Sequence, residues 1–261
     1  MKSKTIVFIH GMYMTPWCWE HWIPYFESKG YMCVAPAWPA HDAPVEALRN
    51  AHPQPALGAL TLNDVLDGYT HAIQKLDQKP ILVGHSLGGL VAQLLLQKEL
   101  AVAAVAIDSA APAGVLTLKR PFFKSNWAHI NPFVAVDNPI EMTFERFQYA
   151  FVNTLPLAEQ QAAFDKYVVP ESRRVPRDSL LAGLDFKRPH PPLLFIAGSA
   201  DHLIPASLNK ANHSRYKDGA SITDFKEFAG RSHFILGQAG WQEVAGYILA
   251  WLGKKVVGEN Y

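Results

Sequence analysis

Cysteine and long apolar runs are both scarce in this sequence. Its 261 residues include two cysteines, Cys18 and Cys33, which cannot build a disulfide framework, and a chain of this length does not need one. Both lie in apolar surroundings, so we expect reduced, buried thiols. No stretch approaches the roughly 20 apolar residues of a membrane span, and the apolar run at residues 5–9 is too short for a signal-peptide core. The sequence therefore predicts a soluble, cytoplasmic protein.

A surplus of charge is missing as well. Lysine and arginine number 24 against 23 aspartates and glutamates, and the formal net charge is +1. The richest basic run, Arg173, Arg174 and Arg177, is short and interrupted by Pro176, so no nucleic-acid partner is expected. Hydrophobic residues make up 49% of the chain, which excludes a disordered protein and is enough for a sizeable core.

Short apolar, β-branched runs alternate along the chain with longer segments of helical pattern. Near-continuous apolar strands are typical of a parallel sheet buried on both faces. The predicted strands are residues 5–9, 31–35, 80–83, 102–107 and 192–196, with a weaker one near the sheet edge at 222–228. The predicted helices are residues 17–29, 61–76, 87–100, 206–216 and 241–252. This alternation predicts an α/β fold, with a mostly parallel, doubly wound sheet of about six strands and helices on both faces.

Residues 112–186 break this alternation, because no convincing strand pattern occurs there while aromatic residues are frequent. A structureless loop of this length inside a compact domain is implausible. Since the segment directly follows a strand end, we expect a helical cap that lines an apolar substrate pocket. The alternative is a set of helices that only extends the core. The expected division is a core of residues 1–111 and 187–261 and a cap of residues 112–186.

The strongest motif is Gly84-His85-Ser86-Leu87-Gly88-Gly89, which follows a predicted strand and opens a predicted helix. This is the context that a G-x-S-x-G nucleophile motif requires. The sharp turn forces Ser86 into strained backbone angles, and a Cβ at Gly84 or Gly88 would collide with neighbouring backbone. Ser86 is therefore predicted to be an exposed nucleophile above the sheet. The backbone N–H of Leu87 lies at a helix N-terminus, where negative charge is favoured.

A serine nucleophile needs a base, and the sequence offers eleven histidines. His233 follows the last predicted strand, in a turn that meets the same sheet edge as Ser86, and is the predicted base. His10 and His85 are each followed by tight turns and are expected to be buried and hydrogen-bonded.

The base needs an acid that holds its tautomer. Asp201 and Asp108 both follow predicted strands, so geometry alone permits either. The chain order Ser86, Asp201, His233 is the usual one for this arrangement and favours Asp201. Asp108 stays open as the alternative acid.

A second oxyanion donor is predicted directly after the first strand. Gly11 lets the backbone approach the reacting carbonyl, and the N–H of Met12 is the natural partner of the Leu87 N–H. Each such donor typically contributes about 10² to 10³ in rate.

These residues resemble the α/β-hydrolase superfamily. The segments Phe8-Ile9-His10-Gly11-Met12 and Trp17-Cys18-Trp19, together with the motif around Ser86, look most like the small plant-type methylesterase and hydroxynitrile lyase branch and its bacterial relatives. The resemblance extends from His10 through Asp201 to His233, and only the insertion has no recognisable pattern. It implies a core of about six strands.

The resemblance also separates activities within the superfamily. The lyases carry threonine where this sequence has Gly11 and lysine where it has Phe234, so both positions favour ester hydrolysis. Epoxide hydrolases and haloalkane dehalogenases use aspartate where this sequence has Ser86. A thioesterase, a carbon–carbon hydrolase, a perhydrolase and lyase-like chemistry remain alternatives, as does a non-catalytic small-molecule binding protein.

The implied reaction is two-step acyl transfer on a small to medium, mainly apolar ester. It needs no metal and no cofactor, since His41, Asp42 and His213 have no partners at metal-ligand spacing. Arg120, Lys124 and Arg146 could face into the pocket, and the oligomeric state is open.

Overall fold

The computed structural model describes residues 3–258, and its centre is a six-stranded sheet. All neighbouring strands are parallel, in the order β2-β1-β3-β4-β5-β6. The strands are β1 (Thr5–Ile9), β2 (Met32–Val34), β3 (Ile81–His85), β4 (Ala103–Ile107), β5 (Leu193–Gly198) and β6 (Thr223–Phe228). The predicted α/β fold class, strand number and edge position of the sixth strand are confirmed. In such sheets, ligands bind beyond the carboxyl ends of the strands.

Helices cover both faces of this sheet. Those between and after the core strands are α1 (Trp22–Glu27), α2 (Val45–Asn50), α3 (Pro55–Ala59), α4 (Leu62–Gln74), α5 (Leu87–Gln97), α10 (Ala206–His213) and α11 (Trp241–Leu252). The inserted segment contributes α6 (Arg120–Ile130), α7 (Phe144–Ala150), α8 (Leu157–Tyr167) and α9 (Arg174–Ser179). A 3₁₀ turn occupies Pro16–Trp19, and a π-helical turn, Gly253–Val257, follows α11.

Side chains of the central strands alternate between two apolar clusters, as the two-residue period of a strand requires. In β1, Ile6 and Phe8 belong to one cluster, whereas Val7 and Ile9 belong to the other. All four are fully buried. Burial on both faces explains why the sequence of this strand is continuously apolar.

A capping box sets the start of α4, whose sequence shows the clearest helical period. Thr61 accepts a hydrogen bond from the Asp64 N–H, and the Asp64 carboxylate accepts one from the Thr61 N–H. This reciprocal capping box satisfies two donors that the first turn would otherwise leave unpaired. Leu62, Val65 and Tyr69 then face the core.

The single helix predicted for residues 17–29 is wrong in detail. The structure has the short turn Pro16–Trp19 and a separate helix, α1, that begins at Trp22. Pro24 has no N–H to donate, so a continuous helix would lack a hydrogen bond at this point. Trp19 and Trp22 both lie in the core, where neither is exposed to solvent.

Residues 112–186 contain the four helices α6 to α9 and a single antiparallel bridge between Ile140 and Glu171. Several of its apolar side chains, Phe147 and Phe151 among them, pack in the same cluster as β1 residues Ile6 and Phe8. The segment therefore shares a core with one face of the sheet.

Two further sequence expectations concern the cysteines and membrane spans. Cys18 is buried and Cys33 half-buried, and both are free thiols. Burial raises the pKa of each thiol. Within residues 3–258, no helix combines the length and apolar character needed to cross a bilayer.

Candidate active site

Ser86 lies on a sharp turn between β3 and α5. Its backbone adopts φ 58° and ψ −123°, in the left-handed half of the backbone map that a residue with a side chain rarely enters. The Ser86 N–H donates to the Ile107 carbonyl, and its own carbonyl accepts from the Ala110 N–H. Strand β4 and the loop that follows it thus hold the strained turn in place.

Two glycines make this turn possible. A Cβ on Gly84 would lie 2.0 Å from the Gly88 carbonyl oxygen, and one on Gly88 would lie 2.3 Å from the Ile9 carbonyl oxygen. Real Cβ atoms do not approach backbone oxygens so closely, because the van der Waals contact distance is well over 3 Å. The collision predicted from the sequence is therefore present at both positions.

His233 pairs with Asp201, and not with Asp108. The His233 Nδ1 and the Asp201 Oδ2 lie 2.6 Å apart, with both side chains fully buried. The other oxygen of Asp201 accepts the N–H groups of Leu203 and Ile204, at 2.7 and 2.8 Å. These three contacts hold Asp201 in place as an acceptor. Consequently, the Nδ1 of His233 carries the proton, and its Nε2 is left as the basic nitrogen.

Asp108 lies near the same histidine. Its Oδ1 accepts the Gly198 N–H at 2.7 Å, and its Oδ2 has no hydrogen-bond partner in the described chain. His85, Asp108 and His233 each contribute one nitrogen or oxygen to a buried group of atoms that lie within 4.8 Å of one another. The sequence prediction that His85 is buried and hydrogen-bonded agrees with the contact of its Nε2–H with the His233 carbonyl, at 2.8 Å.

Burial determines which of these groups carry charge. Burial raises the pKa of Asp108, and the nearby charge of Asp201 raises it further. Burial also raises the pKa of Asp201, but the N–H groups of Ile204 and Leu203 oppose that rise. Since Asp201 accepts three hydrogen bonds and Asp108 only one, we assign the carboxylate to Asp201 and the proton to Asp108. Burial lowers the pKa of His233 to about 3, which leaves the imidazole neutral at pH 7.

The loop after β1 lies directly against the serine. A Cβ on Gly11 would be 2.7 Å from the Ser86 Cβ and 3.3 Å from its Oγ, so only glycine leaves room for this approach. Met12, Ser86 and Leu87 line one cavity. Within residues 3–258, neither the Met12 N–H nor the Leu87 N–H donates to another backbone group.

Glu171 of the inserted segment holds this loop, and no sequence pattern indicated this role. Its Oε2 accepts the Tyr13 N–H at 3.0 Å, and its Oε1 accepts the Ser172 N–H at 2.6 Å. His41 lies 3.2 Å from the same Oε2. Burial alone would lower the pKa of His41, but the charge of Glu171 and its contact with the ring raise it above the usual value. Tyr13 has a left-handed φ of 62°, and this buried pair stabilises it.

The cavity has a volume of about 260 Å³ and lies between the serine turn and the inserted segment. Phe122, Phe123 and Phe151 of that segment contribute to its largely apolar wall. The ring of Phe151 also packs edge-on against His233, with centroids 4.9 Å apart. Phe151 therefore borders the cavity on one side and the buried imidazole on the other.

The three basic residues considered for the pocket do not line it in the described chain. Arg120, Lys124 and Arg146 are absent from the cavity wall. The ammonium of Lys124 instead lies 3.6 Å from the centre of the Tyr149 ring, a cation–π contact. The wall thus offers no cationic side chain to a substrate.

Solved structures with the same fold include several plant and bacterial enzymes. Tomato methylketone synthase I, solved with 2-tridecanone, has a TM-score of 0.71 at 19% identity and covers 98% of this chain and 100% of its own. The methylesterase MES16 from Arabidopsis has a TM-score of 0.68 at 15% identity and covers 96% and 99%. An extracellular alpha/beta-hydrolase from a Paenibacillus species, described as a structural and functional homologue of tobacco Salicylic Acid Binding Protein 2, has a TM-score of 0.69 at 22% identity and covers 97% and 98%.

A search of curated proteins finds no match to this chain. A family model described as "Alpha/beta hydrolase family" matches residues 6–246, which include the sheet except its first residue, Thr5, together with the serine turn and the Asp201–His233 pair. The chain therefore belongs to the alpha/beta hydrolase family.

Proposed function

We propose that this protein hydrolyses carboxylic esters of small to medium, mainly apolar substrates through an acyl-enzyme on Ser86. The observations that carry the proposal are the strained turn that presents Ser86 to an apolar cavity and the buried His233–Asp201 pair, in which the Nε2 of His233 has no hydrogen-bond partner within the described residues. Names of proteins with the same fold, such as methylesterase, agree with ester chemistry.

The reaction follows from the charges of these groups. His233 Nε2 removes the proton from the Ser86 hydroxyl as the oxygen attacks the ester carbonyl carbon. The N–H groups of Met12 and Leu87 stabilise the carbonyl oxygen as it becomes negative. His233 then donates the proton to the departing alcohol, and the acyl group stays on Ser86. Water repeats both steps, which releases the acid and restores the serine. Asp201 stabilises the imidazolium that forms in each step.

In this proposal, residues 112–186 act as a cap, and residues 1–111 and 187–261 form the catalytic core. Phe122, Phe123 and Phe151 supply the apolar surface that takes up the substrate. Because no lysine, arginine, aspartate or glutamate side chain lines the cavity in the described chain, neutral esters suit it better than charged ones. The partner is thus a small-molecule ester. A cytoplasmic location is consistent with the two free thiols.

Turnover of p-nitrophenyl esters from acetate to dodecanoate tests the proposal. We expect hydrolysis with an optimum at short to medium acyl chains, because a cavity of about 260 Å³ is small for a ligand pocket. The rate of p-nitrophenolate release at each chain length is the measurement. Absence of turnover across the whole series would contradict ester hydrolysis.

Replacement of each aspartate by asparagine distinguishes the two carboxyl groups beside the base. Asp201→Asn should lower kcat by about 10⁴, because the amide no longer holds the proton on Nδ1 or stabilises the imidazolium. Asp108→Asn should lower kcat less than about tenfold, since a neutral amide keeps the acceptor that binds the Gly198 N–H. Steady-state kinetics of the two purified variants give kcat for each, and each variant is the matched control for the other. A larger loss in Asp108→Asn than in Asp201→Asn would assign the acid role to Asp108.

Activity should persist in mildly acidic solution. Burial lowers the pKa of His233, so its Nε2 stays unprotonated at pH values where an exposed histidine, with a pKa of about 6.5, takes up a proton. The acid limb of kcat/KM is therefore expected to have its midpoint below about pH 6. Phe151→Ala opens one face of the imidazole to water and should move that midpoint upwards. A midpoint at or above that of an exposed histidine in the native enzyme would contradict this account.

A further inference from the structure

The cavity wall carries few polar side chains, and most of them already have partners inside the protein. The Asn126 amide donates to the carbonyls of Phe122 and Leu203, and the Ser179 hydroxyl donates to the Pro176 carbonyl. Neither donor is available to a bound molecule.

His129 differs from these residues. It is buried, lines the cavity, and its Nε2 lies 2.6 Å from the Tyr13 hydroxyl. The Tyr13 side chain is only 1% exposed, and its hydroxyl makes this one hydrogen bond within the described chain. A buried hydroxyl proton requires an acceptor, so the Tyr13 O–H donates to Nε2.

The proton of the imidazole is therefore on Nδ1. Burial, with the charges of Arg173 and Arg146, lowers the pKa of His129 to about 4, so the ring is neutral and holds one proton at pH 7. Nδ1 makes no hydrogen bond to the described residues. A neutral histidine with its Nε2 occupied by Tyr13 thus has one N–H donor, on Nδ1, that no described residue accepts, in a side chain that lines a largely apolar cavity.

We propose that His129 selects esters that carry a second neutral oxygen acceptor, a carbonyl or hydroxyl group, in the part that the cavity encloses. This inference rests on the proposed ester hydrolysis and adds the class of substrate. A plain hydrocarbon chain in the cavity would leave the Nδ1–H of His129 without a hydrogen bond, which costs free energy. An oxygen acceptor bound to this N–H removes that cost. Neutral acceptors suit the site because the ring carries no charge to pair with an anion.

Matched esters with and without a ketone group test the inference. On the acyl side these are p-nitrophenyl hexanoate, 4-oxohexanoate and 5-oxohexanoate, and on the alcohol side pentyl butanoate and 4-oxopentyl butanoate. In the native enzyme we expect at least one oxo ester to exceed its plain counterpart in kcat/KM by about tenfold. In His129→Phe this ratio should fall to about one.

Two further variants keep the test decisive. Tyr13→Phe leaves His129 in place but removes the group that places the proton on Nδ1, so the ratio should fall by about half or more. His21→Phe makes the same substitution at an exposed histidine outside the cavity and should keep the native ratio. If His129→Phe misfolds, as judged by circular dichroism, Tyr13→Phe decides the outcome.

Binding separates this inference from the proposed function. In the Ser86→Ala background, which cannot form an acyl-enzyme, calorimetry should show about tenfold tighter binding of an oxo ester, and His129→Phe should remove the difference. Absence of turnover with this binding preference would overturn ester hydrolysis but support the role of His129. Equal ratios in native enzyme and His129→Phe, in both kinetics and binding, would overturn the role of His129.

Discussion

Replacement of Ser86 by alanine is expected to lower kcat for ester hydrolysis by roughly 10⁴ to 10⁶ while leaving the fold intact. Alanine keeps the Cβ that the turn already accommodates and removes only the hydroxyl oxygen that forms the acyl-enzyme. Loss of a serine nucleophile in triad hydrolases has an effect of this size, because the base and acid have nothing left to activate. Rates of p-nitrophenyl ester hydrolysis and a melting curve of each protein measure the two effects.

A matched control is Ser28→Ala. Ser28 is exposed, its hydroxyl donates to the Tyr25 carbonyl, and it lies far along the chain from the motif around Ser86. Its activity should equal that of the native enzyme. An acylating inhibitor should label native protein and Ser28→Ala, but not Ser86→Ala. If Ser86→Ala retained more than a few per cent of native activity, another group would be the nucleophile and the mechanism proposed above would be wrong.

Replacement of Gly84 by valine is expected to prevent folding. The added Cβ would lie 2.0 Å from the Gly88 carbonyl oxygen and 2.8 Å from the Gly89 backbone nitrogen, and both belong to the first turn of α5. Neither strand β3 nor α5 can move without breaking its contacts in the buried core. The cost should exceed about 4 kcal/mol, a large part of the 5–15 kcal/mol that stabilises an ordinary domain.

Gly219→Ala supplies the comparison, since a Cβ at Gly219 has no atom within 4 Å. This variant should change the free energy of unfolding by less than about 1 kcal/mol. Alanine restricts the unfolded chain more than glycine does, so the change should be stabilising. Urea denaturation and the yield of soluble protein measure both variants. A folded Gly84→Val protein with native stability would show that the turn can relax in a way the structure does not indicate.

The fold and the serine turn were predictable because their signals are local. Four apolar strands buried on both faces, β1, β3, β4 and β5, leave a continuous pattern in the chain. The glycines of the motif around Ser86 lie within six consecutive residues, 84–89. Strand β6 was weaker in the sequence because it lies at the sheet edge, where its side chains are only partly buried. The short helices α2 and α3 have no apolar period long enough to reveal them.

The choice between Asp201 and Asp108 could not be made from sequence spacing alone. Both residues follow parallel strands that pair with each other, so both reach the same edge of the sheet. Only the structure shows that Asp201 contacts the Nδ1 of His233 and accepts two further N–H groups, whereas Asp108 accepts one. Chain order favoured the same residue, but it carries no information about distance.

Local sequence patterns were enough to predict the parallel α/β sheet and the place of the serine turn. These depend on backbone sterics and on burial patterns that repeat over a few residues. The contacts of Tyr13 with Glu171 and with His129, by contrast, are visible only in the folded protein. Those pairs are 158 and 116 residues apart in the chain. A hydrogen bond between such distant residues depends on how the inserted segment packs, and no local pattern encodes that packing.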